Sequence, residues 1–167
     1  MNTSGRKKSF YAALLIGIGV MAAIDEIVFH QVLGWHHFYD RATPTIGLMS
    51  DGFLHAAELI AIVAGFFLFS RLRQYNELVT PWAWAGFFIG AGGFQVFDGV
   101  INHKVLRLHQ IRYGVNVIPY DIAWVGFGVF LLLIGAVLCL RARRISKQRL
   151  TDRRGTRHSP AAVRKHP

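Results

Sequence analysis

Two stretches of this chain carry the same set of aspartate and histidine residues. The first reads DEIVFHQVLGWHH from Asp25 to His37, and the second reads DGVINHKVLRLHQ from Asp98 to Gln110. They share the pattern Asp-x4-His-x-Val-Leu-x2-His, and each identical pair is 73 positions apart. Imidazole and carboxylate groups transfer protons and, without thiolate, bind zinc, iron, copper or manganese. The duplicated pattern therefore indicates a metal or proton-handling site built by two halves of the chain.

Other ionisable residues stand near the same ends of the apolar segments. Those outside the shared pattern are Glu26, His37, Asp51, His55, Glu58 and Asp121. At about 100° and 1.5 Å per residue, Asp51, His55 and Glu58 fall on one stripe of a helix. Asp51 and Asp121 each open an apolar segment, where an aspartate is also an ordinary helix N-terminal residue.

Helical geometry limits which of these side chains could share one ion. On a regular helix Asp98 and His103 diverge by about 140°, and Asp25 and His36 lie roughly 16 Å apart. A metal site must therefore be assembled between helices. The predicted ligands are His30, His55 and His103, together with Glu58 or Glu26.

The remaining motif residues receive supporting roles in this prediction. Asp25 and Asp98 are expected to accept a hydrogen bond from the outer N–H of a ligating imidazole. Three histidines just beyond the apolar segments are expected to form a second site, an access path or an ordinary interfacial group: His36, His37 and His109.

Several functions are compatible with this set of residues. The favoured hypothesis is metalloenzyme chemistry or metal handling, with zinc, iron or copper not distinguished and with Glu58 or Glu26 as the proton-transfer group of an enzyme. Haem held between His30 and His103 is a second possibility. A proton-coupled transporter and a subunit or assembly factor that binds another membrane protein or its own copy are further alternatives, and the apolar inner halves of the segments count against transport.

Four apolar segments position these residues, and each is about long enough to cross a bilayer as a helix. They are Phe10–Phe29, Phe53–Phe69, Trp82–Ile101 and Ile122–Leu140. The hydrophobic fraction of 53% and the mean hydropathy of +0.34 agree with a membrane protein. The predicted fold is an all-α, four-helix membrane bundle made of two tandem two-helix repeats, at about residues 10–71 and 82–140.

The basic residues are distributed unevenly between the two sides of the predicted membrane domain. Of the 19 lysines and arginines, 15 precede the first segment, separate the second from the third, or follow Leu140. By the positive-inside rule both termini, residues 1–9 and 141–167, are cytoplasmic, and the histidine-rich loops face outward across a bacterial cytoplasmic membrane. The tail 141–167 is expected to lose order beyond its first turn or two. The net charge of +10 is thereby explained by topology and anionic lipid rather than by nucleic acid.

The motifs also resemble a known family. The resemblance rests on the residues of both Asp/His stretches together with Asp51-Gly52, His55 and Tyr120-Asp121. It covers about residues 10–140. The family is a bacterial group of small predicted membrane proteins of unknown function. The resemblance implies a polytopic membrane protein and no established activity.

Overall fold

The computed structural model describes residues 3–158, with side chains as far as residue 148. Within that range the chain forms four long helices and no strand, which confirms the predicted all-α class. The helices are α1 (Thr3–Asp25), α2 (Pro44–Gln74), α3 (Thr80–Phe97) and α4 (Ile118–His158). α1 continues directly into a first π segment, Glu26–Val32, and α3 continues into a second π segment, Asp98–Val105.

All four helices are long and apolar enough to cross a membrane, as predicted. The candidate spans, with mean hydropathies of 2.1, 2.0, 1.2 and 2.6, are Thr3–Val32, Pro44–Gln74, Thr80–Val105 and Ile118–Gln148. α4 runs on to His158, beyond the predicted domain boundary at residue 140. The rest of the predicted tail, 159–167, lies outside the described residues.

α1 and α3 form the centre of the bundle. α2 packs on α1 and α4 packs on α3, while α2 and α4 share no packing contact within the described residues. A Cβ atom at Gly17 would overlap the carbonyl oxygen of Phe87, and one at Gly90 would overlap that of Leu14. The absence of side chains at these two glycines therefore lets the two central helices approach closely, as small residues do in membrane bundles.

Apolar and polar side chains are distributed as expected for helices in lipid. The outer helices expose large apolar side chains, such as Phe53 and Ile60 on α2 and Leu133 on α4. The buried set is instead rich in charged and polar residues at the ends of α1 and α3, including Asp25, His30, Asp98 and His103. The bundle therefore places its polar chemistry inside, at one end.

The connections divide the molecule into two ends. At one end, Lys8 of α1 pairs with Glu77 at 3.0 Å, and the backbone N–H of Val79 donates to the Ser9 hydroxyl at 2.9 Å. This end holds the start of α1 and the α2–α3 connection. The opposite end holds both π segments and the connections 33–43 and 106–117, and we call it the histidine end.

Candidate metal centre

Each π segment starts at or beside an aspartate and brings it near a histidine five positions later. Asp98 Oδ2 lies 3.0 Å from His103 Nε2, and Asp25 Oδ1 lies 3.9 Å from His30 Nε2. The hydrogen bonds of a π-helix join residues i and i+5, so residues at this spacing lie on nearly the same face. The expectation that Asp98 and His103 would diverge was wrong, because it assumed a regular α-helix.

Both π segments end in the same reversal of the chain. Gly34 and Arg107, which are 73 positions apart, have φ angles of 57° and 51°. The backbone hydrogen bonds around these two residues correspond in pairs. Leu33 N donates to Val28 O at 2.9 Å, as Leu106 N does to Ile101 O at 2.7 Å. Trp35 N donates to Phe29 O at 2.9 Å, as Leu108 N does to Asn102 O at 2.9 Å. These reversals direct His36 and His109 back into the bundle.

His36 and His109 are held by reciprocal hydrogen bonds. His36 Nδ1 donates to the carbonyl oxygen of Ile111 at 2.9 Å, and His109 Nδ1 donates to that of Phe38 at 2.8 Å. A carbonyl oxygen only accepts, so Nδ1 carries the proton in both rings. In the neutral tautomer each Nε2 then offers a lone pair, which is the form that binds a metal.

Burial keeps both of these imidazoles neutral. Desolvation, aided by the neighbouring imidazoles, lowers the pKa of His36 to about 2. Desolvation also lowers the pKa of His109 to about 4, although the carboxylate of Asp98 opposes the shift. At neutral pH, therefore, neither ring has to lose a proton before it can bind a cation.

Four histidine rings form one cluster around these two. His36 and His109 stack at 4.5 Å with 9° between their planes. His30 contacts His36 edge-on at 4.3 Å, and His103 contacts His109 edge-on at 4.6 Å. All four side chains are almost completely buried. The duplicated motifs thus contribute equivalent histidines to one place.

Seven buried atoms of these histidines and of Asp25 and Asp98 have no hydrogen-bond partner within the described residues. They are Asp25 Oδ1, His30 Nε2, His36 Nε2, Asp98 Oδ2, His103 Nδ1, His103 Nε2 and His109 Nε2. Asp98 Oδ2 and His103 Nε2 are close to each other, but not in hydrogen-bonding geometry. Within the described chain, three groups have donor atoms close enough to share an ion: His30-His36-His109, Asp98-His103-His109 and Glu26-His30-Asp51.

The first half adds carboxylates that the second half lacks. His30 Nδ1 lies 3.0 Å from Asp51 Oδ1 and 2.9 Å from Glu26 Oε2. Asp51 also pairs with His37 Nδ1 at 2.6 Å and accepts from the Phe38 N–H at 2.7 Å. These acceptors fix the tautomer of His30 and leave its Nε2 facing Asp25.

At the equivalent positions of the second half stand a glycine and a tryptophan. Gly99 and Trp124 follow Glu26 and Asp51 by 73 positions. A Cβ at Gly99 would lie 2.7 Å from Trp124 Cδ1, and the Trp124 ring lies 6.0 Å from that of His103. The centre is therefore symmetric in its histidines and asymmetric in its acidic surroundings.

Three residues from the predicted site lie outside the cluster. His55 is 57% exposed and pairs with the buried Glu58 through Nδ1 and Oε1 at 2.6 Å. Neither belongs to a group whose donors could share an ion with His30 in the described chain. Asp121 pairs with Lys104 beyond the second π segment.

A cavity of about 340 Å³ lies next to this exposed region. The exposed His55 lines it, and so do Glu26 and Asp51. Both carboxylates contact His30. The cavity therefore places an exposed imidazole near the carboxylates that contact the buried cluster.

His36 and His109 lie beside His30 and His103, although the sequence predicted only a second site, an access path or an interfacial group for them. Both end the shared motif, so the duplication is the signal that could have placed them there. The chain reversals at Gly34 and Arg107, which the sequence did not predict, bring them into the cluster.

Comparison with known proteins identifies the family and nothing more specific. Residues 12–142 match the family described as a predicted membrane protein (DUF2243), and the chain belongs to that family. No curated protein and no solved structure matches the chain.

Proposed function

We propose that this member of the DUF2243 family is a membrane metalloprotein that holds a transition-metal ion among His30, His36, His103 and His109. The observation that carries the proposal is the set of seven buried, unpartnered nitrogen and oxygen atoms. Leaving a buried polar atom without a partner costs about 1–3 kcal/mol. A cation held by His30, His36 and His109, or by Asp98, His103 and His109, would accept the lone pairs of three donors at a time.

The donor chemistry narrows the metal to a small group. Four imidazoles with two nearby carboxylates, Asp25 and Asp98, suit zinc, iron or copper. The chain has one cysteine, Cys139, which lies in the apolar span of α4 and so offers no thiolate cluster. When bound, such an ion supplies Lewis-acid or redox chemistry.

Haem between His30 and His103 is the less favoured cofactor. The His36 ring lies 4.3 Å from His30 and 6.1 Å from His103, and His109 also contacts both rings. These two rings occupy the region where a porphyrin would have to lie. An ion among the four imidazoles needs no such rearrangement.

The cavity beside α2 favours metal handling as part of the function. His55 lines it and pairs with Glu58, and Glu26 and Asp51 line it and contact His30. Carboxylates and imidazoles spaced in this way would pass a cation inward from one group of donors to the next. If the centre is instead catalytic, Glu26 is the best-placed proton-transfer group, because it touches His30 at 2.9 Å.

We also infer that the chain consists of two tandem repeats and lies in a bacterial cytoplasmic membrane with both termini inside. The repeat is supported by the matched hydrogen bonds of His36 and His109 and by the matched contacts of Gly17 and Gly90. The orientation is supported by the excess of lysine and arginine at the end opposite the histidines.

The test is elemental analysis of protein purified in mild detergent without chelator or an affinity metal. We expect about one transition-metal ion per chain, in keeping with one four-imidazole site. The double change His36→Ala, His109→Ala is expected to remove at least nine-tenths of it. His55→Ala, a matched change of an exposed histidine, is expected to keep the metal once the protein is equilibrated with excess ion.

Two results would contradict the proposal. The first is wild-type protein that holds no stoichiometric metal even after growth in supplemented medium. The second is unchanged metal in a double variant that retains its helical circular dichroism. A Soret band in the absorption spectrum would transfer the assignment to haem.

A further inference from the structure

A second cavity, of about 360 Å³, lies beside the metal centre between the histidine ends of α1, α3 and α4. Its volume is within the range of about 300–1,000 Å³ that small-molecule sites occupy. Five of its lining residues are aromatic: Phe29, Trp35, Tyr120, Trp124 and Phe127. We call this space the aromatic cavity.

The aromatic walls are held in place by mutual contacts. Phe29 packs edge-on against Trp124 at 4.9 Å and lies 5.3 Å from Trp35. The guanidinium of Arg112 lies 4.8 Å above the Trp35 ring and donates to the Tyr120 hydroxyl at 2.7 Å. Such a frame offers preformed flat surfaces, against which a ring stacks with little loss of side-chain entropy.

Three lining residues contribute buried polar atoms without a partner in the described chain. They are Asp25 Oδ1, Gln95 Oε1 and Trp124 Nε1. The indole N–H is a donor, and the amide and carboxylate oxygens are acceptors. A ring that carries hydroxyl groups would satisfy all three, because a hydroxyl both donates and accepts. An acyl chain would leave them unpaired.

The cavity borders surface that faces lipid. Ile24 and Phe127, which both line it, are nearly half exposed on the apolar exterior of the candidate spans. A ligand dissolved in the bilayer therefore has a direct approach between α1 and α4.

The aromatic walls belong to one half of the molecule only. The positions 73 residues from Phe29, Trp35, Tyr120 and Trp124 hold Asn102, Leu108, Gly47 and Asp51. The residues shared by the two halves thus build the histidine cluster, while the unshared ones build this cavity. Packing of the repeat does not by itself require the aromatic set.

We propose that the aromatic cavity binds the ring of a lipid-soluble quinol. The flat walls suit the ring, and its hydroxyl groups can donate to the unpaired oxygens of Asp25 and Gln95 and accept from the Trp124 indole N–H. The exposed apolar rim suits a hydrocarbon tail that remains in the bilayer. Asp25 lines the cavity and lies 3.9 Å from His30 Nε2, so the bound ring sits next to the histidine cluster. The proposal does not depend on a metal being present there.

The test is a titration of full-length protein in detergent with decylubiquinol, measured by quenching of tryptophan fluorescence. Ala123→Leu adds bulk to a lining residue and is expected to weaken binding at least tenfold. Gln95→Leu removes a polar atom at similar volume and is expected to weaken binding about fivefold. Ala136→Leu, an exposed alanine on the same helix outside the cavity, is the matched control and is expected to change affinity less than twofold.

The titration can be carried out on metal-free protein, because the proposal does not depend on a bound metal. Each of its outcomes supports or overturns the proposal. Equal affinity in the wild type, Ala123→Leu and Ala136→Leu would show only partition into the micelle and would overturn the proposal. Displacement of the quinol by an equal concentration of hexadecanol would assign the cavity to an acyl chain. That result would also overturn the proposal. Loss of binding in Ala123→Leu alone among the alanine variants would support it.

Discussion

At the scale of single residues, the fate of a histidine here depends on burial and on what its Nδ1 contacts. His36 and His109 donate to backbone carbonyls and stay neutral, whereas His30 faces the carboxylates of Glu26 and Asp51. His55 also pairs with a carboxylate, that of Glu58, but its side chain is exposed. The proposed ligand role therefore falls to the histidines that are both buried and held by hydrogen bonds.

Buried neutral histidines make the metal-free protein sensitive to acid. The pKa of His109 is about 4 in the folded chain against about 6.5 when unfolded, so below pH 6.5 the unfolded state binds more protons. Stability is fully present above that value and is lost as the pH falls, by about 1.4 kcal/mol per pH unit between 6 and 5 for each such histidine. We expect the thermal midpoint of chelator-treated protein to fall over this range.

The variant His109→Asn isolates this contribution. Its amide keeps a donor near the Phe38 carbonyl but does not titrate, so the midpoint should depend less on pH between 6.5 and 5 than in the wild type. An unchanged slope would mean that His109 is already protonated or exposed in the folded protein.

At the scale of helices, two features control the centre. The π segments set which side chains meet, because they replace the α-helical register over Glu26–Val32 and Asp98–Val105. The glycines of α1 and α3 set how near the two segments come. Both features act through the backbone rather than through the ligands themselves.

Filling the glycine contact should therefore damage the centre from a distance. A methyl group at Gly17 or Gly90 meets the backbone of the opposite helix, which cannot yield as a flexible side chain can. Gly90→Ala is expected to lower stability by about 1–3 kcal/mol, as overpacking does, and to weaken metal retention. Gly93→Ala, on the same helix with open space around it, is the control. Equal thermal midpoints for the two variants would contradict the packing shown here.

At the scale of the whole molecule, the bundle separates two kinds of charge. Most of the basic residues with described side chains lie toward the end that holds the start of α1 and the α2–α3 connection, and most of the acidic and histidine residues lie at the other. The histidine cluster is therefore buried near one end of the bundle, and the apolar halves of the spans lie toward the opposite end.

This arrangement predicts the topology. A green fluorescent protein fused after Pro167 is expected to fluoresce, because the positive-inside rule retains that end in the cytoplasm. Alkaline phosphatase fused within the connection 110–117 is expected to be active, because the proposed topology places that connection outside. If the fluorescent protein is dark and the phosphatase is inactive, the proposed orientation is wrong.

The sequence by itself determined the helical class, the number of spans and the polar residues that recur in both halves. Four apolar segments of sufficient length permit few other structures in lipid. The fixed spacing of the polar motif identifies Asp25, His30, Asp98 and His103 as candidate site residues without coordinates.

Only the tertiary structure decided which of those residues meet. The sequence grouped His55 and Glu58 with His30 and left His36 and His109 outside, because a regular helix was the only geometry available to it. A change from α to π hydrogen bonding, or a positive φ angle at Gly34 or Arg107, leaves little trace in the local sequence pattern. These backbone changes nevertheless turn whole side chains toward a different neighbour. They are stabilised by packing between the two halves of the chain, which no single stretch of sequence contains.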